Sequence, residues 1–211
     1  MLADGEVAAF VDEETRLGGS LNYAFGEEGQ ERAKQLAAEV AKLPNVTVLS
    51  SALCTGWYAD NWLAVASGNR LYKLRAKQVV LATGSVEQPM VFRNNDLPGV
   101  ILGSAVQRMI RLYGVRPGQT AVVCTGNDHG YQVAKDLRAA GVEVAAIADL
   151  RNETAKCAEA EELAAAGLRI LSGHTVYEAL PARGKKGVAG AVIDTVTGEG
   201  KVGGSGEAVA C

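Results

Sequence analysis

Residues 122–150, VVCTGNDHGYQVAKDLRAAGVEVAAIADL, contain an apolar run, a short turn, an amphipathic segment and a second apolar run. This order predicts a β-strand, a turn, a helix and another strand. A dinucleotide-binding turn takes glycine at its first position for the bend, at its third for phosphate approach and at its sixth for helix packing. Here those positions hold Thr125, Asn127 and Gly130. The sequence therefore predicts the scaffold of such a unit with an altered phosphate-binding turn.

The alternation continues on both sides of this stretch. Apolar spacing predicts a helix over residues 103–113, a strand over 120–124, a helix over 131–140, a strand over 144–148, a helix over 155–166 and a strand over 168–171. Two further short strands, 176–180 and 187–193, precede a Gly-rich tail at 198–206 and resemble a meander that is cut short. Helices and strands that alternate in this way predict an α/β sheet.

The first part of the chain predicts a second sheet. Residues 6–11 and 46–49 are strand-like and flank a helical segment at 31–43, which Pro44 ends. Segments 54–58, 62–66 and 71–75 are separated by turn residues and predict an antiparallel meander. KQVVLA at 77–82 is predicted to be a buried strand. Because residues 6–11 stand where the second strand of a Rossmann unit is expected, the chain is expected to be a fragment of a longer protein.

Acidic residues and a glycine pair follow the first predicted strand. Asp12 or Glu13 lies where a Rossmann unit places the acid that accepts hydrogen bonds from a ribose diol, with Asp12 favoured because the apolar run stops there. A solvated acidic loop is the alternative. Gly18 and Gly19 favour a binding loop, since paired glycines let backbone approach a ligand without side-chain collision.

A second candidate binding element is the turn Ala82-Thr83-Gly84 after KQVVLA. Small residues at the carboxyl edge of a sheet lie where ligands of α/β folds bind, although an ordinary tight turn has the same composition. The order of acid, glycine pair, meander and Ala-Thr-Gly is that of two-dinucleotide-domain flavoproteins. Residues 1–90 are therefore predicted to form the first domain, without its first strand and Gly-rich turn, and 91–211 the second, truncated one.

Composition excludes several function classes. The net charge of −3 is spread over interleaved acids and bases, which argues against nucleic acid as a partner. No apolar run approaches the ~20 residues of a membrane-spanning helix, and the acidic start is unlike a signal peptide, so a cytoplasmic location is expected. The four cysteines form no C-x-x-C or C-x4-C pair, which argues against disulfide reduction and a metal site. His129, in the altered turn, is interpreted as solvated, and no catalytic residue is assigned.

Residues 79–142 carry a specific set of motifs. Ala-Thr-Gly is followed by Glu-x-Pro at 87–89, Asn-Asp-x-Pro-Gly-Val at 95–100, a helix ending in Tyr-Gly-Val-x-Pro-Gly at 113–118, and Asn127-Asp128 in place of phosphate glycines. This pattern resembles the alpha subunit of heterotetrameric sarcosine oxidase, over nearly the whole chain. The resemblance implies a three-layer FAD/NAD(P)-binding Rossmann-like fold with antiparallel meander insertions and two nested dinucleotide-type domains.

The resemblance also implies a function. The complex demethylates sarcosine to glycine at a flavin of a beta subunit, with FMN and FAD in the wider assembly and smaller subunits beside it. Formaldehyde passes to tetrahydrofolate at a domain outside this chain. The first domain would bind NAD, or FAD in the same site, through what remains of the site, and the second would be a degenerate scaffold. Alpha-type subunits of opine oxidases or hydroxyproline dehydrogenases, and a non-enzymatic scaffold, are the alternatives.

Overall fold

The computed structural model describes residues 8–153, 157–197, 200–204 and 206–211. The chain divides into two compact units, Met1–Ser85 and Val86–Cys211, here called unit 1 and unit 2. Each unit has its own sheets and its own buried side chains.

Unit 1 begins with a strand, a helix and a parallel strand. β1 (Ala8–Val11) pairs with β2 (Val46–Leu49) from Ala8 opposite Val46 to Val11 opposite Leu49. The helix α1 (Gly26–Ala41) connects them and buries Gly29 and Ala33. Two glutamates in its first turn suit the positive end of the helix dipole, and Pro44 follows its end.

An antiparallel meander completes unit 1. Its strands are β3 (Ala52–Tyr58), β4 (Trp62–Ser67) and β5 (Arg70–Arg75), with β4 in the centre. Between β3 and β4, Asp60 and Asn61 have φ values of 57° and 55°, as the central residues of a tight hairpin turn require. Val65 on β4 is fully buried.

Residues 77–82 contradict the sequence prediction. They form no helix or strand, and Val80 is 87% exposed. The apolar composition of KQVVLA suits a strand that is covered on both faces, but a parallel strand forms only where neighbouring strands receive its hydrogen bonds. In the described part of unit 1, the parallel pairing is confined to β1 and β2.

Unit 2 begins with a loop that is held by backbone hydrogen bonds, followed by a helix. Arg93 makes two backbone hydrogen bonds to the later strand segment at Tyr177 and Ala179. The carboxylate of Glu87 then accepts the N–H groups of Gly103 (3.0 Å) and Ser104 (2.7 Å), where α2 (Gly103–Tyr113) begins. This carboxylate satisfies two of the helix's free N-terminal donors and complements its dipole.

A parallel sheet forms the centre of unit 2. β6 (Thr120–Thr125), β7 (Glu143–Asp149) and β8 (Ile170–Ser172) lie side by side in that order. The helices α3 (His129–Ala139) and α4 (Ala158–Ala165) connect them. Side chains of α2, α3 and α4 pack against Val123, Val144 and Ile147 to form the main core.

The other face of this sheet is covered by an antiparallel sheet. β9 (His174–Pro181), β10 (Val188–Thr195) and β11 (Glu207–Ala210) pair with β10 in the centre. Ala146 and Ala148 of β7 pack against Ile193 of β10 in a second, smaller cluster. Unit 2 is thus a three-layer arrangement of helices, parallel sheet and meander.

The predicted α/β fold with antiparallel meanders is confirmed. The predicted helix at 103–113 has the observed bounds, and most other elements agree within a few residues. Three predictions extend beyond the described residues: the start of the strand at 6–11, the start of the helix at 155–166 and part of the tail at 198–206. The second meander has a third strand that was not predicted, because β11 follows the Gly-rich tail and pairs with β10.

Candidate functional site

Asp12 lies at the carboxyl end of β1. Its backbone N–H donates to the carbonyl of Leu49 and its own carbonyl accepts the N–H of Ala52, both at 3.0 Å. Its Oδ1 accepts the N–H of Glu14 at 2.9 Å, so the half-buried carboxylate is held over the start of the loop. Glu13 is exposed. The fold therefore orients Asp12 and leaves Glu13 facing solvent.

The glycine pair lies in the same loop, and its two members differ. Gly18 has a φ of 119°, and a Cβ there would lie 2.8 Å from Ala33 Cβ and 2.9 Å from Asn22 Nδ2. Glycine at this position permits both the backbone conformation and the close approach to α1. Gly19 has a φ of 49°, but a Cβ there would meet no atom within 4 Å. Gly18 is thus a packing position, whereas Gly19 borders open space.

Asn22 holds this loop closed, a role that the sequence alone did not reveal. Its Nδ2 donates to the carbonyls of Leu17 (3.1 Å) and Gly19 (3.3 Å), and its own carbonyl accepts Nε2 of Gln30 at 3.0 Å. Only its position after a glycine pair could have pointed to this role, since an Asn side chain readily bonds nearby backbone.

The structure places Ala82, Thr83 and Gly84 outside any helix or strand, and all three are exposed. Gly84 has a φ of 71°, and a Cβ on it would meet no atom within 4 Å. These residues are therefore not brought to a sheet edge beside Asp12 in the described structure.

In unit 2 the altered turn is closed by its own side chains. Thr125 Oγ1 donates to the carbonyl of Asn127 (2.9 Å) and accepts its N–H (3.2 Å), while Asn127 Oδ1 accepts the N–H of His129 at 3.0 Å. A Cβ on Gly130 would overlap Thr125 and would lie 2.8 Å from its Cγ2. The sixth position of the turn therefore still requires glycine for packing.

A buried carboxylate lies at the end of β7, in the place of a ribose-binding acid. Asp149 is fully buried and accepts the hydroxyl of Tyr131 at 2.7 Å and the guanidinium of Arg151 at 2.7 to 3.3 Å. The same guanidinium donates from Nη1 to Asp128 Oδ1 at 2.7 Å. Burial alone would raise the pKa of the Asp149 carboxyl, but the hydrogen bonds from Arg151 and Tyr131 hold this pKa below its usual value. Burial, followed by the bond to Asp149, raises the pKa of Tyr131.

His129 belongs to a polar cluster between α2 and α3, and the interpretation of it as simply solvated is wrong. Its Nε2 lies 2.9 Å from Gln107 Oε1, and Gln107 Nε2 donates to Asp136 at 2.8 Å. Asp136 also accepts Arg111 Nη2 at 2.7 Å. Gln107 and Asp136 are both buried, so these bonds compensate the cost of removing them from water.

The described residues offer neither a metal-binding cluster nor a candidate membrane span. No group of three or more His, Cys, Asp or Glu side chains among them is arranged to hold a metal ion. None of their helices is both long and apolar enough to cross a membrane.

Comparison with curated proteins gives the relatives of this chain. It is 39% identical to the sarcosine oxidase alpha subunit of Corynebacterium sp. (strain P-1), over 82% of this chain and 20% of the relative. It is 36% identical to the protein of the same name from Rhizobium meliloti (strain 1021), over 70% of this chain and 17% of the relative. An opine oxidase subunit of Agrobacterium tumefaciens (strain Ach5) is 29% identical, over 66% of this chain and 31% of the relative.

These matches confirm the resemblance that the motifs of residues 79–142 indicated. The chain spans about a fifth of the length of the sarcosine oxidase subunits that it matches. No protein-family model matches it.

Solved structures show the fold. Thioredoxin reductase from T. acidophilum superposes with a TM-score of 0.70 at 16% identity, over 98% of this chain and 66% of that one. L-proline dehydrogenase from P. horikoshii superposes with a TM-score of 0.62 at 21% identity, over 88% of this chain and 34% of that one. The chain therefore has the fold of the FAD/NAD(P)-binding oxidoreductases, as predicted.

Proposed function

Because this chain is related to a segment of the alpha subunit of sarcosine oxidases, we propose that it forms the dinucleotide-binding part of an alpha-type subunit in a flavin-dependent amine oxidoreductase. Its first domain, residues 1–90, binds NAD. Its second, residues 91–211, is a degenerate copy that serves as scaffold. The amine is oxidised on a flavin-binding beta subunit, and the chain itself supplies no catalytic residue. Sarcosine is the proposed substrate, and its formaldehyde passes to tetrahydrofolate at a further domain.

The observation that carries this proposal is the position of Asp12. It stands at the end of a parallel strand, its carboxylate is oriented by the N–H of Glu14, and Gly18 lets the following loop pack against α1. An acid at the end of the second strand of a Rossmann unit accepts hydrogen bonds from the ribose of a dinucleotide. Gly19 borders open space, so backbone remains accessible to a ligand there.

The remaining candidate contacts are Glu13 and residues 82–84. Glu13 is exposed and adjacent to Asp12, so its carboxylate can accept a hydrogen bond from a ribose hydroxyl without rearrangement of the strand. Ala82, Thr83 and Gly84 are small and exposed. In the proposal they line the cofactor once a neighbouring strand supports residues 77–82, because parallel strands end at a common edge of a sheet.

Calorimetric titration of the full-length subunit with NAD tests this site. Replacing Asp12 with Ala is expected to weaken binding by about 1.5–3 kcal/mol, which is the scale of a lost charge-assisted hydrogen bond. Glu13→Ala is expected to have the smaller effect. Glu39→Ala, which removes an exposed acid from α1, is the matched control and should leave the affinity unchanged. Unchanged affinity in both Asp12→Ala and Glu13→Ala would remove the ribose role. A parallel titration with FAD identifies the dinucleotide.

The opine oxidase relative supports a second candidate function. At 29% identity this match is lower than those to the sarcosine oxidase subunits, but it covers a larger share of its relative. In that case the alpha-type subunit would serve a complex that oxidises an opine. A substrate panel of sarcosine, hydroxyproline and opines, assayed with the assembled complex, separates these candidates.

A further inference from the structure

Unit 2 contains two positions that one bound dinucleotide would contact at the same time. In a Rossmann-type unit the pyrophosphate binds backbone N–H groups in the turn after the first strand, and the ribose binds an acid after the second. The corresponding places in unit 2 are the turn at 125–130, after β6, and Asp149, at the end of β7. Both are engaged by groups of the protein.

The acceptor capacity of Asp149 is used up. An ionised carboxylate offers about four lone-pair sites. Oδ1 accepts the backbone N–H of Arg151 (2.9 Å) and its Nε (3.0 Å), and Oδ2 accepts Nη2 of Arg151 (2.7 Å) and the hydroxyl of Tyr131 (2.7 Å). With the carboxylate fully buried as well, a ribose diol finds no free acceptor.

Arg151 then extends to the turn. Its Nη1 donates to Asp128 Oδ1 at 2.7 Å, so one guanidinium bridges the acid of β7 and the turn of β6. This is the path that a dinucleotide would take between the same two places. Arg151 is about one third exposed and Asp128 more than half, so the bridge lies at the surface, where a ligand would enter.

Two backbone donors of the turn are also engaged. The N–H of Asn127 bonds Thr125 Oγ1 and the N–H of His129 bonds Asn127 Oδ1. These are backbone donors of the kind that hold phosphate in a glycine-rich turn. The side chains of Thr125 and Asn127 thus stand where an anion would accept these bonds.

We propose that Arg151 is an internal occupant of the nucleotide cleft of unit 2, an autoinhibitory contact that keeps the ribose of an ADP-ribose-type ligand off Asp149. The site is distinct from the one proposed in unit 1 and does not depend on it. With the turn restored and Arg151 removed, this cleft would bind ligands that contain a ribose diol and a diphosphate. The altered turn excludes the phosphates, and Arg151 excludes the ribose.

The test restores the turn and then removes the occupant. Turn variant T125G/N127G/D128A regenerates a G-x-G-x-x-G sequence with Gly130 and removes the acid, while Arg151 stays. A second protein adds R151A. The matched control adds R169A instead, which deletes an arginine of the same unit that is paired with Glu207 away from the turn.

Hydrogen exchange of the full chain is followed with and without 1 mM ADP-ribose, in peptides covering residues 122–131 and 149–153. We expect no ligand-dependent change in the wild type, the turn variant or the R169A control, and at least threefold slower exchange in the R151A protein. Peptides covering residues 12–22 report ligand-dependent exchange in unit 1 separately. A failure of the Arg151 proposal is therefore distinguishable from a failure of the proposed NAD site.

Three results would overturn the proposal. The first is protection in the turn variant while Arg151 is present. The second is no protection in the R151A protein although circular dichroism shows it folded. The third is wild-type binding of 2′-phospho-ADP-ribose in these peptides, which would make Arg151 a ligand for that phosphate. If R151A unfolds the chain, the same comparison is made with R151Q, which lacks the charge and the fork of donors, and the same outcomes decide.

Discussion

An alanine at Gly130 tests the close approach of α3 to β6. The added Cβ would overlap Cβ and Oγ1 of Thr125 and lie 2.8 Å from Cγ2, closer than the 3.0 Å that real Cβ atoms keep. Thr125 Cβ is fixed to the strand backbone and cannot rotate away. Either the start of α3 or the end of β6 must therefore move.

The expected cost follows from that overlap. Overpacking of a tight contact costs about 1–3 kcal/mol of the free energy of unfolding. In a T125G background the three atoms nearest to the added Cβ are gone, and Ala is then favoured over Gly in a helix by up to about 1 kcal/mol. The coupling between the two positions should be about 1–4 kcal/mol. T125A is the matched control, because it keeps the overlapping Cβ and should leave the cost of Gly130→Ala in place.

A double-mutant cycle measures this coupling. Urea unfolding of the full chain is followed by far-UV circular dichroism in the wild type, the single variants and both double variants. The only two tryptophans of the sequence, Trp57 and Trp62, belong to unit 1, so their fluorescence shows whether that unit is affected. An equal loss of stability from Gly130→Ala in the wild-type and T125G backgrounds would refute the packing explanation.

Three other predictions concern stability and activity. Leu137→Ala should lower the free energy of unfolding in urea by about 2–5 kcal/mol, because Leu137 is 3% exposed in the main core. Asp128→Ala should lower it by at most about 1 kcal/mol, since the ion pair of Asp128 with Arg151 is surface-exposed. Equal losses in the two variants would contradict this prediction. The folded pKa of Asp149 is lowered, so its carboxylate stabilises the fold above an unfolded pKa of about 4 and this contribution is lost below it. Asp149→Asn should therefore flatten the fall of the urea midpoint between pH 5 and pH 3, and an unchanged pH profile would count against the network. The isolated chain should consume oxygen with sarcosine only at the background rate, and flavin-dependent turnover would contradict an accessory role.

The strands and helices of unit 2 were predictable because each has a local signal. Apolar runs identified β6 and β7, and helical spacing of apolar residues identified α2, which the structure ends at Gly114. The strand prediction for residues 77–82 was wrong because the composition shows only that a strand there would be buried. Whether it forms depends on neighbouring strands that composition does not show, and Val80 is exposed where it was expected inside.

The candidate site was predictable in part for a similar reason. The position of Asp12 follows from where the apolar run of β1 stops. The role of Arg151 depends on where a long side chain points, and sequence spacing does not give that direction. One signal was present: Asp128 and Asp149 stand in the turn and at the strand end, with an arginine two residues after Asp149. Two acids at places that a single ligand would bridge, with a cation close by, point to an internal ion pair.

The altered turn separates two physical demands on glycine. At Gly130 the demand comes from Thr125 and exists in every folded molecule, whether or not a ligand is present. At positions 125 and 127 glycine is needed only where phosphate approaches backbone. Thr125 and Asn127 accept two of the turn's N–H groups themselves, so side chains there stabilise the turn, and a ligand is not needed to complete these two hydrogen bonds. A phosphate-binding turn can in this way keep its strand and helix packing while its ligand contacts are replaced, and the Gly130 and Arg151 variants test these two parts independently.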